Sequence, residues 1–225
     1  MELKQYVLDV QRTMPQLCLA LSRGAYEDRK GKIRVIDAGN ILPKEILIKA
    51  EVTYIKASGN LLDLIHMCLG MGSEIMEEFT LAMESGDHVN RQEELVDCLW
   101  YVCNFSTLLK INISNYTFRK GYNVSRPIKL NASSSDLLKS LGKLQDLVKR
   151  YLAYSETINV DTATKIVMQL LGAINDLAFE LKIDLAQGMQ NNIDKLRTRF
   201  PNKFEVSDAE KENRNLDKER KDLEK

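Results

Sequence analysis

Apolar residues recur at spacings of three and four along most of the chain. Leu3, Tyr6, Val7, Val10, Met14, Leu17, Cys18 and Leu21 do so over residues 2–22, which predicts an amphipathic helix ending before Gly24. The pattern resumes over residues 61–111 in two arms. Ile65, Leu69, Ile75, Met76 and Phe79 mark the first and Leu95, Cys98, Leu99, Val102 and Phe105 the second, with a polar turn over residues 85–90 between them. Helical pattern returns over 136–154, 162–182 and 184–199. Residues 44–56 read both ways: Ile46, Ile48, Ala50, Val52 and Tyr54 alternate like a strand, while Leu47, Ala50 and Tyr54 also suit a helix, which the rest of the chain favours. Residues 24–42 form a polar connection. Residues 112–135, rich in Asn, Ser and Gly and carrying Arg119, Lys120, Arg126 and Lys129, read as a long loop, either a lid over a phosphate-bearing ligand or a linker. The expected fold is an all-α helical bundle forming a single domain over residues 1–225.

Shifting the chain by 72 positions produces an ungapped internal match. Ile65 falls on Leu137, Leu69 on Leu141, Phe79 on Tyr151, Leu95 on Val167, Leu99 on Leu171 and Phe105 on Leu177. At roughly 3.6 residues per turn this offset is a whole number of turns and keeps apolar stripes in phase by itself. Loops interrupt both stretches, however, and the expectation is a duplicated helical hairpin, 61–111 and 136–183, packed as a pseudo-dimeric core.

The two copies differ in their carboxylates. The first arm carries Glu74, Glu77 and Glu78, the second Glu93, Glu94 and Asp97, each set sharing a helix face. Like charges at this spacing cost a few tenths of a kcal/mol per pair, and packing the arms together adds to the repulsion. Oxygen ligands without a Cys or His cluster favour a hard cation, Mg²⁺ first and Mn²⁺ second. The plainer alternative is a solvated acidic face, but the flanking apolar residues place these carboxylates at the border of the buried side. In the second copy Glu74 becomes Asp146, Glu77 Lys149, Glu78 Arg150, Glu94 Ile166 and Asp97 Gln169. That copy is not expected to hold a divalent cation, and Lys149 and Arg150 are either phosphate contacts or an exposed basic turn.

The pair Glu74-Ile75-Met76-Glu77 and Glu94-Leu95-Val96-Asp97, continued by Cys98-Leu99-Trp100-Tyr101, resembles the metal-binding signature of the MazG-like, all-α nucleoside triphosphate pyrophosphohydrolases, relatives of the dimeric dUTPase and dCTPase enzymes. Tyr6 with Gln11-Arg12-Thr13 is similar to the first helix of that family. The run Asn192-Ile193-Asp194-Lys195-Leu196-Arg197-Thr198-Arg199-Phe200-Pro201 is similar to a later segment, and Asn213-Arg214-Asn215-Leu216 with Glu219-Arg220 to the ending of a longer branch. About half of the chain is covered; residues 16–60 and 112–182 are not. Ile75 and Met76 are bulky where the family often has small residues. The resemblance implies Mg²⁺-dependent hydrolysis of a nucleoside triphosphate between the α and β phosphates, with Glu74, Glu77, Glu94 and Asp97 as metal ligands. Glu77, Glu78 and Glu93 are the candidates for activating or orienting the water. Lys195 and Arg199, four apart on one helical face and within the matching segment, are the first candidates for phosphate. Arg197 is a weaker one. Tyr101 and Asn104, four and seven positions beyond Asp97, would meet ribose or base, or else serve as core.

Charge narrows the partners further. Thirty-two basic residues balance 32 acidic ones, so no overall field draws the chain to nucleic acid or to a membrane. No apolar run reaches the roughly 18 to 20 residues of a membrane span, and the segment from Met1 to Lys4 lacks a signal-peptide pattern. Cys18, Cys68, Cys98 and Cys103 form no C-x-x-C pair and sit in apolar stretches, as core thiols in a reducing compartment do. Sequons at Asn112, Asn115, Asn123 and Asn131 are then chance, and the expected location is cytoplasmic. The charged tail, 205–225, has Leu216 and Leu223 seven apart, which suits a helix laid on a neighbour, a homodimer contact or a solvated helix. Against the enzyme stands a second reading: a non-catalytic helical binding or assembly module that keeps the scaffold.

Overall fold

The computed structural model describes residues 1–11, 60–119, 130–154, 156–202, 208 and 211–225. Its elements are α1 (Leu3–Gln11), α2 (Asn60–Ser73), a π-helical segment (Glu74–Glu78), α3 (Phe79–Ser85), α4 (His88–Leu108), α5 (Leu130–Tyr154), α6 (Val160–Leu181), α7 (Leu185–Arg199), a 3₁₀ turn (Lys211–Asn213) and α8 (Leu216–Leu223). The fold is all-α, with no strand among the described residues. The chain divides into two compact units, Met1–Met14 with Met67–Lys225, and Pro15–His66. Of the second, residues 60–66 alone are described, so residues 44–56, the polar connection 24–42, Cys18 and the continuation of α1 to residue 22 lie outside the described residues.

Helix α4 is the centre of the larger unit. It packs against α1, the π segment, α3, α6 and α7, and from Leu95 to Ser106 all but Asp97 and Tyr101 are buried. A helix covered on several sides needs apolar residues all round, and Leu95, Val96, Cys98, Leu99, Val102, Cys103 and Phe105 supply them with no exposed surface. Burying a side chain such as Leu99 contributes about 1.5–3 kcal/mol. Cys68, Cys98 and Cys103 are free, buried thiols, and burial pushes the Cys68 thiol up to about 12.

Helices α5 and α6 form the second hairpin, and α6 joins it to α4. The loop expected over 112–135 is shorter at its far end, because α5 begins at Leu130. Its polar first turns are held by the neighbouring helix: Ser133 is buried, and its hydroxyl donates to Glu180 Oε1 at 2.9 Å. Lys120, Arg126 and Lys129 lie outside the described residues.

The ends of α4 and α6 correspond at the offset of 72. Asp87 caps α4 by accepting the N–H groups of Val89 and Asn90, and Asn159, 72 positions on, caps α6 by accepting that of Thr162. At the other ends Lys110 and Lys182 take φ of 57° and 58°. The N–H of Ile111 bonds Ser106 O, and that of Ile183 bonds Ala178 O, both at 2.8 Å. These are the same left-handed helix ending, placed twice.

The tail does not leave the bundle. Helix α8 lies on α7, burying Leu223 while Leu216 stays 53% exposed. This is the helix laid on a neighbour that the Leu216–Leu223 spacing allowed. No described helix is long and apolar enough to cross a membrane.

Candidate metal centre

Three of the four expected ligands meet. One carboxylate oxygen each from Glu74, Glu94 and Asp97 lies within 4.8 Å of the others. Glu74 comes from the π segment, which begins there; the N–H of Phe79 reaches back five residues to Glu74 O. Such a bulge inserts an extra residue into a helical turn and re-aims the side chains around it. Glu94 and Asp97 share one face of α4. Ile75 is buried and Met76 is 62% exposed, so only one of the two bulky residues in the motif is packed against the core. The side chains of Glu77 and Glu78 lie outside the described residues.

Close packing around the cluster depends on two glycines. A Cβ at Gly70 would come within 2.3 Å of the Tyr101 ring, so its absence lets Tyr101 lie against α2. A Cβ at Gly188 would stand 2.9 Å from Val96 Cγ2 and 3.1 Å from Gln92 Cγ, so its absence lets α7 approach α4. That approach carries Lys195 to the cluster. Its ammonium, with 2% of the side chain exposed, lies 2.7 Å from Asp97 Oδ2 and 3.0 Å from Glu93 Oε1. Burial works against the charged form, but the carboxylates of Asp97 and Glu93 outweigh it and hold the lysine up at about 12.

Asp97 has a second partner on α7: Asn192 Nδ2 donates to Oδ1 at 2.5 Å. The hydroxyl of Tyr6, buried in α1, is in turn 2.8 Å from Asn192 Oδ1 and 3.2 Å from Val96 O. Tyr6 therefore orients Asn192, and Asn192 orients Asp97. Sequence reasoning assigned neither residue a part in the site. A signal was present, since Asn192 precedes Lys195 by three positions and shares its helix face.

Glu74, Glu93, Glu94 and Asp97 gather around the ammonium of Lys195, and Glu94 responds to its neighbours. Burial, the charge of Asp97 and a hydrogen bond with Glu74 push its carboxyl up to about 10. The donor set suits a hard ion, being all oxygen. Adjacent ligands of an octahedral Mg²⁺ stand about 3 Å apart and opposite ones about 4.2 Å, so the three carboxylates, within 4.8 Å of one another, would close around an ion by side-chain movement.

The other candidate residues are distributed as follows. Tyr101 is partly buried beside the cluster, its hydroxyl raised by burial and by Glu74, and its ring meets Trp100 edge-on at 4.9 Å. Asn104 is fully buried, and its amide donates to Trp100 O at 3.0 Å. Arg199, on the same helix as Lys195, pairs with Glu219 at 2.6 Å. Arg197 is half exposed and lies 3.6 Å from Asp194. Lys149 and Arg150 are exposed on α5 and pair locally, Lys149 with Asp146 and Arg150 with Glu156 at 2.5 Å. The carboxylates and Lys195 thus come together, whereas the basic pair of the second hairpin is engaged in its own neighbourhood.

No protein-family model, no curated protein and no solved structure matches the chain.

Proposed function

We propose that the chain is a divalent-cation-dependent nucleoside triphosphate pyrophosphohydrolase acting on dUTP, dCTP or a modified nucleotide. The observation that carries this reading is the convergence of Glu74, Glu94 and Asp97 within 4.8 Å, three carboxylates whose mutual repulsion a divalent cation offsets. Glu74, Glu94 and Asp97 would hold it, with Glu77 as the fourth ligand that the motif resemblance adds. Bound there, Mg²⁺ or Mn²⁺ supplies Lewis-acid stabilisation of charge on the phosphate oxygens.

The chain's own residues do the rest. Lys195 and Asn192 keep Asp97 in one orientation, so little reorganisation is needed when substrate enters. Water adds to phosphorus, the α–β anhydride P–O bond breaks, and pyrophosphate departs with the electron pair of that bond. The proton of the water passes to a carboxylate, for which Glu77, Glu78 and Glu93 are the candidates. Arg199 is the nearest further cation on α7, and a phosphate would compete with Glu219 for it.

One observation favours the non-catalytic module: both oxygens of Asp97 are already bonded, to Asn192 and to Lys195, as in a network that only holds helices together. A pyrophosphate-release assay over a nucleotide panel, with and without Mg²⁺, separates the two. The hydrolase reading expects metal-dependent turnover of at least one nucleotide, lost in Glu94→Gln and Glu77→Gln. Because burial and its acidic neighbours favour the neutral form of Glu94, glutamine is a close replacement, and the fold should survive that change. Absence of turnover across the panel at high protein concentration would leave the module standing.

A further inference from the structure

A cavity of about 380 Å³ lies between Met1–Leu3, the segment that follows α4, the body of α6 and the start of α7; Glu2 and Asp184 are its acidic lining residues, and none of the carboxylate cluster lines it. Pockets that take small ligands run from roughly 300 to 1,000 Å³. Much of its wall is aromatic or aliphatic, with Tyr116, Phe118, Phe179 and Met189 among the lining residues. Tyr116 and Phe118 meet edge to face, centroids 5.2 Å apart. Aromatic walls of this kind accept the face or edge of another flat ring.

Polar groups narrow the ligand. Asn175 stands in the wall with 7% of its surface exposed. Its Oδ1 accepts the backbone N–H of Arg119 at 2.8 Å, which decides which end of the amide is which. The Nδ2 end is left with no hydrogen-bond partner among the described residues. That amide donor opens on the cavity, where water or the acceptor of a ligand can reach it. Arg119 also lines the cavity. Its guanidinium is half exposed and lies 3.1 Å from Asp176, itself 45% exposed, an ion pair open enough to share with an anion.

We infer that this cavity binds a flat heteroaromatic ring bearing a hydrogen-bond acceptor and joined to an anionic group, the chemistry of a nucleoside monophosphate. The ring lies among Tyr116, Phe118 and Phe179, its acceptor meets Asn175 Nδ2, and the phosphate meets Arg119. The inference does not rest on the hydrolase reading, because it uses no residue of the carboxylate cluster.

Isothermal titration of the full-length protein with uridine and adenosine 5′-monophosphates tests it, in EDTA so that the carboxylates hold no cation. Saturable one-to-one binding of at least one nucleotide is expected, about tenfold or more tighter than binding of ribose 5-phosphate, which has the anion without the ring. Asn175→Leu should weaken it by about tenfold. Phe118→Ala, a change outside the helices, should weaken it similarly and guards against a folding defect in the first variant; far-UV circular dichroism checks both. Glu94→Gln should bind as the wild type does. No binding of either nucleotide, equal binding of ribose 5-phosphate, indifference to both cavity variants, or loss of binding in Glu94→Gln would overturn the inference.

Discussion

Lys195 reaches the carboxylates of Glu93 and Asp97 from almost complete burial, with 2% of its side chain exposed. An ammonium removed from water to this extent is tolerable only because both partners are close and hydrogen-bonded, and its removal takes from Asp97 and Glu93 the cation they share. Lys195→Met should therefore lower the unfolding free energy by about 3–5 kcal/mol, the usual cost of breaking a buried pair from one side. Urea denaturation measures it. If the cluster also holds a divalent cation, millimolar Mg²⁺ should restore part of the loss in the variant and less in the wild type; a loss that Mg²⁺ leaves untouched would count against cation binding. Before the fold was known, Lys195 stood out by its spacing from Arg199 and by its motif, as a contact for phosphate. Its partners were not legible, because Glu93 and Asp97 lie about a hundred residues earlier and no local spacing records such a meeting. Glu74, Glu94 and Asp97 were legible for the opposite reason: Glu94 and Asp97 share a helix face, and a short turn returns the Glu74 arm alongside.

At the level of elements, apolar periodicity located the ends of α4, α6 and α7 to within a few residues, since each long helix must bury a stripe. It could not locate the π segment, where one extra residue per turn shifts Glu74 without changing the apolar pattern, nor the start of α5, whose serines look like loop until Glu180 is seen to accept from Ser133. The correspondence of α4 with α6 gains support from features that stripe phase does not impose. A capping Asp87 or Asn159 and a left-handed Lys110 or Lys182, each 72 positions apart, are choices of backbone geometry shared by these two helices. Lysine pays a steric penalty at φ near +57°, whereas glycine does not. Lys110→Gly and Lys182→Gly should each stabilise the protein by about 0.5–1 kcal/mol, the relief at the left-handed residue outweighing the added freedom of the unfolded chain. A destabilisation in either variant, measured by urea midpoint, would mean that the lysine side chain contributes something its backbone position does not reveal.

Across the larger unit, the last helix ties distant parts of the chain to one another, and it does so mainly with charge. Glu219 of α8 is buried and accepts from Arg199 of α7 and from Arg214. Arg220 reaches Asp87 and Asn90 at the start of α4, Asp222 accepts from Thr198 at 2.6 Å, and Asn191 Nδ2 donates to Leu223 O at 2.9 Å. Burial alone would raise the Glu219 carboxyl, but the hydrogen bonds from Arg214 and Arg199 outweigh it and hold the group below its ordinary 4.5. Asp222, bonded by Lys225 and Thr198, and Asp87, bonded by the N–H of Asn90 and by Arg220, are likewise lowered from 3.8. A carboxyl whose folded value lies below its unfolded one binds fewer protons in the native state, so its stabilisation is complete above the unfolded value and is lost as pH falls through the folded one. The tail should thus be fully fastened at neutral pH and should loosen below about pH 4. Glu219→Gln removes the charge but keeps the shape, leaving Arg199 and Arg214 without their carboxylate. It should melt about 4 °C or more below the wild type at pH 7. As pH falls from 5 towards 3 the two melting temperatures should converge, because the wild type then loses what the variant never had. Equal melting temperatures at pH 7 would mean that Glu219 contributes packing rather than charge, and that α8 is held by Leu223 and its neighbours instead; a difference that stayed constant over that range would mean that the cost of glutamine does not come from the lost charge.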